Sequence, residues 1–176
     1  QQDLTELGEM AADLGVELFV LDDGWFGRRN SDRSSLGDWQ VNTDKLPGGL
    51  KGLSEAIEQR GLQFGLWLEP EMISQNSQLA DLHPDWFLSI PDRPVAEGRN
   101  QLVLDLSRPE ICDFLVDTLD EILASAPIRY IKWDMNRYLT NVAAPQLAVE
   151  QQREVYHRYV LGLYQVLDRL TARHPQ

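Results

Sequence analysis

The residues best suited to chemistry follow an apolar segment near residue 130. The run Tyr130-Ile-Lys-Trp-Asp-Met-Asn-Arg137 begins with residues typical of a buried strand and ends in a carboxylate, Asp134, with Lys132 two residues before it. In parallel α/β folds, reactive groups lie at the carboxyl ends of the strands. A cation on the same side of a strand favours the ionised form of a neighbouring acid. Asp134 is therefore a candidate nucleophile, and the alternative is a helix N-cap that closes a strand-to-helix turn.

Two further apolar segments also end in acids. Residues 16–21 are followed by Asp22 and Asp23, and residues 62–68 are followed by Glu69 and Glu71. If these strands belong to one parallel sheet, their carboxyl ends meet at the same edge, so that acids far apart in sequence face one ligand. A divalent metal is one interpretation of such acids. Because no histidine follows a predicted strand and no Asp-x-Asp spacing occurs, we expect no metal and no other cofactor.

Tryptophans near the same strand ends favour a sugar as the ligand. Trp25, Trp67 and Trp133 lie beside the acids. Carboxylates accept hydrogen bonds from hydroxyl groups, and flat indole rings can cover the apolar C–H face of a sugar. The combination predicts a carbohydrate site.

Composition excludes several other classes of ligand. The 176 residues carry a net charge of −12, with 43% hydrophobic and 25% charged residues. A negative surface disfavours both nucleic acid and anionic membranes. No apolar run approaches the roughly 20 residues that span a bilayer, and no signal peptide is visible, so we expect a cytoplasmic protein. Cys112, the only cysteine, is expected to be a small buried helix residue.

Apolar periodicity predicts alternating helices and strands. Predicted helices cover residues 4–14, 50–57, 74–82, 111–123 and 155–170, and predicted strands cover residues 16–21, 62–68 and 128–133, with residues 102–104 as a candidate fourth strand. Residues 26–49 are predicted to form a loop, and Ser107-Arg-Pro-Glu110 matches a helix capping box. The continuous apolar strands are expected to be buried on both faces.

This alternation predicts a parallel α/β sheet with right-handed crossovers. Three strands are too few for a complete (β/α)₈ barrel, which needs about 250 residues. We therefore predict the first half of a (β/α)₈ TIM barrel, with parallel strands and outer helices; a small doubly wound sheet is the alternative. No Gly-x-Gly-x-x-Gly follows a predicted strand, so nucleotide binding has no support.

Four long motifs resemble the α-galactosidases of glycoside hydrolase family 36. They are Leu18-Phe-Val-Leu-Asp-Asp-Gly-Trp-Phe-Gly-Arg28, Phe64-Gly-Leu-Trp-Leu-Glu-Pro-Glu-Met72, Gly98-Arg-Asn-Gln-Leu-Val-Leu-Asp-Leu106 and Tyr130-Ile-Lys-Trp-Asp-Met-Asn-Arg137. They occur in family order and extend over essentially the whole chain. Together they are highly specific, whereas a single one, such as Asp-Asp-Gly, would be weak.

The resemblance implies a retaining mechanism with a covalent galactosyl-enzyme on Asp134. It also implies roles in substrate binding: Asp22 and Asp23 bind the 4- and 6-hydroxyls of galactose, Lys132 and Arg99 contact further hydroxyls, Asn136 lies near the 2-hydroxyl, and Trp67 walls the pocket. From the residues alone, each of three side chains has a structural alternative. Lys132 could form an ion pair, Arg99 could be a solvated loop charge, and Trp67 could be ordinary core packing.

The resemblance further implies that residues 1–176 are a partial catalytic domain, about half of the barrel. The second carboxyl group that retaining glycosidases need would come from a later strand beyond Gln176, and flanking domains would also be absent. The expected substrates are small α-galactosides such as raffinose or melibiose, and the isolated chain is expected to be inactive. Transglycosylation and a non-catalytic sugar-binding fragment are the alternatives, and homo-oligomerisation of the full-length enzyme is left open.

Overall fold

The computed structural model describes residues 1–140 and 142–175, and these form helices packed on a small parallel sheet. The helices are α1 (Gln2–Asp13), α2 (Gly49–Glu58), α3 (Gln78–Leu82), α4 (Pro109–Ser125) and α5 (Val155–Arg173), with a 3₁₀ turn at Val149–Glu154 before α5. The strands are β1 (Leu18–Leu21), β2 (Gln63–Leu68), β3 (Met72–Ile73), β4 (Leu102–Val103) and β5 (Tyr130–Trp133).

The main sheet has the order β1-β2-β5, and both pairs are parallel. The register places Leu21 beside Leu66, and Trp67 beside Lys132. Each crossover carries a helix, because parallel neighbours cannot be joined by a tight turn. The helices and parallel strands confirm the predicted α/β class, and their arrangement is that of part of a barrel.

The two faces of this sheet are covered differently. Leu68 and Trp133 face α4 and α5, and they share an apolar groove with Leu119 and Leu167 from those helices. Side chains alternate along a strand, so Trp67 and Lys132 point to the opposite face. There Trp67 packs among aromatic residues of the loop that follows β1, namely Phe26 and Trp39.

The predicted loop at residues 26–49 contributes several side chains to the core. Phe26, Leu36, Trp39 and Leu46 in this segment are each no more than 3% exposed. Gly37 has a φ of 100°, which favours glycine, and a Cβ there would lie 2.8 Å from a methyl group of Leu79. The apolar side chains of this loop are therefore part of the core, and Phe26 and Trp39 cover Trp67 near the strand ends.

Two predictions about short elements are wrong. The helix predicted over residues 74–82 begins only at Gln78, with Ser77 as its N-cap, because Ser74 and Asn76 bond instead to Leu36 and Ser35 of the loop. The candidate fourth strand forms β4, but it pairs antiparallel with β3 and lies outside the main sheet.

The predicted capping box at the start of α4 is also absent. The N-cap is Arg108, and it makes no side-chain capping bond. The Ser107 hydroxyl donates to Asp105 (2.6 Å), and Glu110 accepts from the Arg108 side chain (2.8 Å). Pro109 does occupy the first helical turn, where its missing N–H costs nothing.

The prediction that β5 is fully buried is wrong for the described residues. Tyr130 is 48% exposed, and Lys132 is exposed as well. The reason is topological: within residues 1–140 and 142–175, β5 pairs only with β2 and is an edge of the sheet. Beside this edge lies the apolar groove, with a volume of about 450 Å³.

Candidate active site

The carboxyl ends of β1, β2 and β5 bring the predicted site residues together. The backbone N–H of Asp134 donates to the Leu68 carbonyl (2.8 Å), which extends the sheet pairing one residue beyond β5. This bond sets the Asp134 side chain beside Trp67, whose indole N–H donates to Asp134 Oδ2 (2.9 Å). Lys132 Nζ reaches Asp22 Oδ2 at 3.0 Å. Asp22 and Lys132 are 110 positions apart in the sequence, and Trp67 and Asp134 are 67 positions apart. The fold therefore brings distant residues into one site.

Asp134 is held by uncharged donors. Its Oδ2 accepts from Trp67 and from Asn136 Nδ2 (2.7 Å), while Oδ1 accepts from the backbone N–H of Met135 (3.0 Å). Partial burial raises the pKa of this carboxyl, but these three bonds, helped by the charge of Lys132, outweigh it and hold the pKa below its ordinary value. Asp134 is thus a partly buried, ionised carboxylate in a fixed orientation.

Lys132 acts mainly on Asp22 rather than on Asp134. The hydrogen bond to Asp22 raises the pKa of Lys132, and the charge of Asp134 adds a smaller effect in the same direction. Both side chains of the Lys132–Asp22 pair are well exposed, at 44% and 64%. The expectation that Lys132 keeps Asp134 ionised is therefore correct in sign, but the indole and amide donors contribute more.

Asp23 is paired with a guanidinium that the sequence did not single out. Arg29 donates through Nε and one terminal nitrogen to both oxygens of Asp23, at 2.8–3.2 Å, and through the other to the Ser34 carbonyl (2.8 Å). The Arg29 side chain is 3% exposed, whereas that of Asp23 is 37% exposed. The buried Arg29 guanidinium thus fixes the orientation of the Asp23 carboxylate, which is still partly exposed to solvent.

Arg99 approaches the site from a tight turn. Arg99 and Asn100 have φ values of 52° and 59°, and Gly98 and Gln101 exchange both backbone hydrogen bonds around them. Such left-handed conformations cost non-glycine residues about 1–3 kcal/mol each. The turn directs Arg99 to Asn136 Oδ1, which accepts at 2.8 Å. Asn136 is therefore the link between Arg99 and Asp134.

Comparison with known proteins identifies the family of this chain. The family profile described as Melibiase matches residues 1–176. The chain belongs to the melibiase family. Alpha-galactosidase AgaA of Geobacillus stearothermophilus is 57% identical over 175 residues, which are 99% of this chain and 24% of AgaA. Alpha-galactosidase 1 of Pediococcus pentosaceus is 51% identical over 172 residues, 98% of this chain and 24% of that protein.

The same family provides the solved structures that resemble this one. A crystal structure of an AgaA variant in complex with raffinose has a TM-score of 0.96 at 56% identity, and it covers 99% of this chain and 24% of that chain. The chain therefore spans about a quarter of the length of the curated relatives it matches. The resemblance to glycoside hydrolase family 36 and the barrel-type fold are confirmed by these matches.

The side chain of Trp133, one of the tryptophans predicted to contact the sugar, points away from that of Asp134. It lies on the other face of β5 from Lys132, where it lines the apolar groove. Its indole N–H donates to Glu71 Oε1 (2.9 Å), and the Tyr159 hydroxyl donates to Glu71 Oε2 (2.5 Å). In this melibiase chain, Trp133 therefore connects β5 to α5 through a buried acid.

Some side chains around the site were not predicted. Arg137 is buried and donates to the backbone carbonyls of Ala96 (2.9 Å) and Gln101 (2.5 Å), so it anchors the turn that carries Arg99. Arg29 was also missed. Arg137 is the last residue of one of the four motifs and Arg29 directly follows another, but the partners of neither residue could be inferred from spacing.

The described residues present neither a metal site nor a membrane span. Among residues 1–140 and 142–175, no group of three or more His, Cys, Asp or Glu side chains is arranged to hold a metal ion. None of the helices described is both long and apolar enough to cross a membrane. The cytoplasmic location stays a prediction.

Proposed function

We propose that the protein containing this chain is a retaining glycoside hydrolase that releases terminal α-linked galactose from oligosaccharides. The observation that carries the proposal is Asp134, an ionised carboxylate oriented by three uncharged donors at the strand ends. Family membership supports the reaction class. Variants of AgaA have been crystallised with raffinose and with stachyose, which supports α-galactosides as the substrate class.

In this proposal, an oxygen of Asp134 attacks the anomeric carbon of the galactose. Oδ1 has one donor and Oδ2 has two, so Oδ1 keeps more lone-pair capacity for the new bond. The bond from C1 to the leaving oxygen breaks as that oxygen takes a proton from a second carboxyl group. Water then attacks C1, gives its proton to that same group and releases Asp134, which yields galactose with retained configuration.

The second carboxyl group is proposed to lie outside residues 1–176. The acids near Asp134 have other partners: Asp22 pairs with Lys132, Asp23 with Arg29, and Glu69 is only 1% exposed. This supports a domain that is completed by sequence beyond this chain.

Substrate recognition is proposed to use the charged groups around Asp134. Asp22 and Asp23 accept hydrogen bonds from the 4- and 6-hydroxyls, and Lys132 and Arg99 donate to further hydroxyls. Asn136 lies near the 2-hydroxyl, and Trp67 walls the pocket. These roles are supported by the exposure of Asp22, Asp23, Lys132 and Arg99 on the side of the strand ends where Asp134 lies. Trp133 is not included, because its indole N–H is bonded to Glu71.

The stereochemical course of the full-length protein tests this proposal. Incubation with an aryl α-galactoside, followed by NMR from the first seconds, is expected to show α-galactose as the first product. Aryl α-glucosides and β-galactosides, as matched controls, are expected to react much more slowly. First appearance of β-galactose would contradict the retaining mechanism, and galactose binding without turnover would indicate a non-catalytic sugar-binding protein. Galactosyl transfer to added sugar in preference to water would indicate a transglycosylase.

Assays of residues 1–176 alone test the location of the second carboxyl group. General acid assistance contributes about 10²–10⁴-fold, so the isolated chain is expected to give no measurable turnover. Its free strand edge and apolar groove are also expected to promote self-association, which light scattering measures. Robust turnover by this chain alone would show that the acid lies among the residues described above.

A further inference from the structure

Glu69 makes an unusual pair of contacts just beyond the end of β2. Its side chain is 1% exposed. Oε1 accepts the backbone N–H of Asn136 (2.6 Å), and Oε2 accepts Nε2 of Gln101 (3.0 Å). Glu69 thus reaches across the sheet to the segment that follows Asp134.

The segment that follows Asp134 no longer pairs with β2. The last backbone bond of the β5 pairing is the one from Asp134 to the Leu68 carbonyl. Asn136 lies two residues further on, and its backbone N–H bonds to Glu69 rather than to a strand. Its side chain donates to Asp134 and accepts from Arg99. The orientation of this amide, and with it one of the three donors to Asp134, depends on the backbone bond to Glu69.

We infer that Glu69 is a positioning residue: by holding the backbone of Asn136, it sets the amide that orients Asp134 and Arg99 for the reaction. The inference rests on the proposed function for its kinetic consequence. Its structural consequence, an Asn136 backbone fixed by an acid from β2, stands apart from the activity. Glu69 makes no hydrogen bond to Asp134 among the bonds described, and Asn136 is the predicted sugar-binding residue that it contacts.

The position and the charge of Glu69 can be separated by substitution. Burial raises the pKa of Glu69, the hydrogen bonds from Asn136 and Gln101 lower it, and the charge of Asp134 raises it further. Because the pKa of Glu69 is raised and the pKa of Asp134 is lowered, Glu69 is still uncharged at the pH where Asp134 ionises. The ionisation of Asp134 therefore responds to the position of the Asn136 amide and not to the charge of Glu69.

Two substitutions achieve this separation. Glu69→Gln removes the charge but keeps an acceptor for Asn136. The Gln101 amide can turn to meet the new NH₂ group, since its Oε1 is buried without a hydrogen-bond partner among the described residues. Glu69→Met has a similar size but offers an acceptor to neither Asn136 nor Gln101. The matched control is Glu71→Gln, an acid equally buried at 3% that bonds instead to Trp133 and Tyr159.

The test uses the full-length protein and two readouts. The first is hydrogen exchange, followed by mass spectrometry, of the peptide that covers residues 134–140. The second is the pH dependence of kcat/KM, whose acid limb reports the ionisation of the nucleophile. Exchange requires no activity, so the positioning role is tested even if the wild-type protein fails to hydrolyse galactosides.

Glu69→Met is expected to lose protection in this peptide and to lower kcat/KM by about 10- to 100-fold, the effect of one lost bond to a charged group. Its acid limb is expected to move to higher pH. Glu69→Gln is expected to keep the protection, to stay within about threefold of wild-type activity on the same scale, and to leave the acid limb in place. Glu71→Gln is expected to lower Tm while leaving both readouts unchanged.

Wild-type exchange and an unshifted acid limb in Glu69→Met would overturn the inference. Equal changes in Glu71→Gln would also overturn it, because they would show a general loss of stability. If Glu69→Met does not fold, Glu69→Asp replaces it, because its carboxylate is withdrawn by one methylene from the Asn136 N–H; wild-type exchange at residues 134–140 in that variant would overturn the inference.

Discussion

The acids at the ends of β1 and β5 are held by different kinds of partner. Asp22 and Asp23 are paired with the cations Lys132 and Arg29, whereas Asp134 receives an indole, an amide and a backbone N–H. A cation orients a carboxylate but neutralises much of its charge, while uncharged donors lower the pKa and leave the charge in place. The difference separates acids suited to accepting hydroxyl groups from the one suited to attacking carbon.

Removal of the Asp134 carboxylate tests this comparison with the largest expected effect. In the full-length protein, Asp134→Ala is expected to lower kcat by on the order of 10⁴-fold or more, as loss of a covalent nucleophile does elsewhere. Added azide is expected to restore part of the turnover and to give a product of inverted configuration. Asp22→Ala serves as the control, and azide is not expected to rescue it.

The cation-paired acids are expected to affect recognition. A hydrogen bond to a charged group contributes about 1.5–3 kcal/mol, so Asp22→Ala and Asp23→Ala are each expected to lower kcat/KM for galactosides by roughly 10- to 100-fold. Discrimination against glucosides should weaken as well, which parallel assays on both sugars measure. Loss of wild-type activity on chelation of calcium or magnesium would favour a metal site at these acids instead.

Arg29→Met sharpens the comparison within the β1 end. This substitution leaves Asp23 without its bidentate partner, so we expect KM for an aryl α-galactoside to rise by about tenfold, the size of one charged hydrogen bond. The acid limb of kcat/KM should not move, because Arg29 does not contact Asp134. A shift of that limb would show that the two ends are electrostatically coupled, contrary to our description.

The smallest predicted effects are shifts of the acid limb itself. Trp67→Phe removes a donor to Asp134, so the pKa of that carboxyl rises and the acid limb of kcat/KM moves to higher pH. Lys132→Met is expected to move it in the same direction but less far, because the charge of Lys132 contributes less than the indole bond. The pH profiles of the two variants, measured at one ionic strength, show which group lowers the pKa of Asp134 more. A larger shift in Lys132→Met than in Trp67→Phe would contradict the description of Asp134 as held mainly by uncharged donors.

Local patterns in the sequence predicted the part of the site that depends on single strands. Apolar runs followed by acids located Asp22, Trp67 and Asp134, because a parallel sheet places its strand ends together whatever their separation in sequence. The exposure of Tyr130 was not predicted. The apolar composition of a strand indicates how buried it is when all its neighbours are present. Among the described residues, β5 has one neighbouring strand, β2.

The partners of the site residues could not be predicted in the same way. Arg29 reaches Asp23 only because the loop after β1 folds back on itself, and no periodic pattern encodes that path. Glu69 meets Asn136 across two strands and 67 positions, a contact set by sheet register. The capping motif at Ser107 failed for a related reason, since Asp105 competes for its hydroxyl.

Covalent trapping tests the central claim most directly. The full-length protein would be incubated with a fluorinated α-galactosyl donor whose second step is slow, then digested and analysed by peptide mass spectrometry. Our account predicts one galactosyl ester, on Asp134, and none in the Asp134→Ala variant. An ester on Asp22, Asp23 or another carboxylate, or turnover of the donor with no covalent intermediate, would contradict the assignment of Asp134 as the nucleophile.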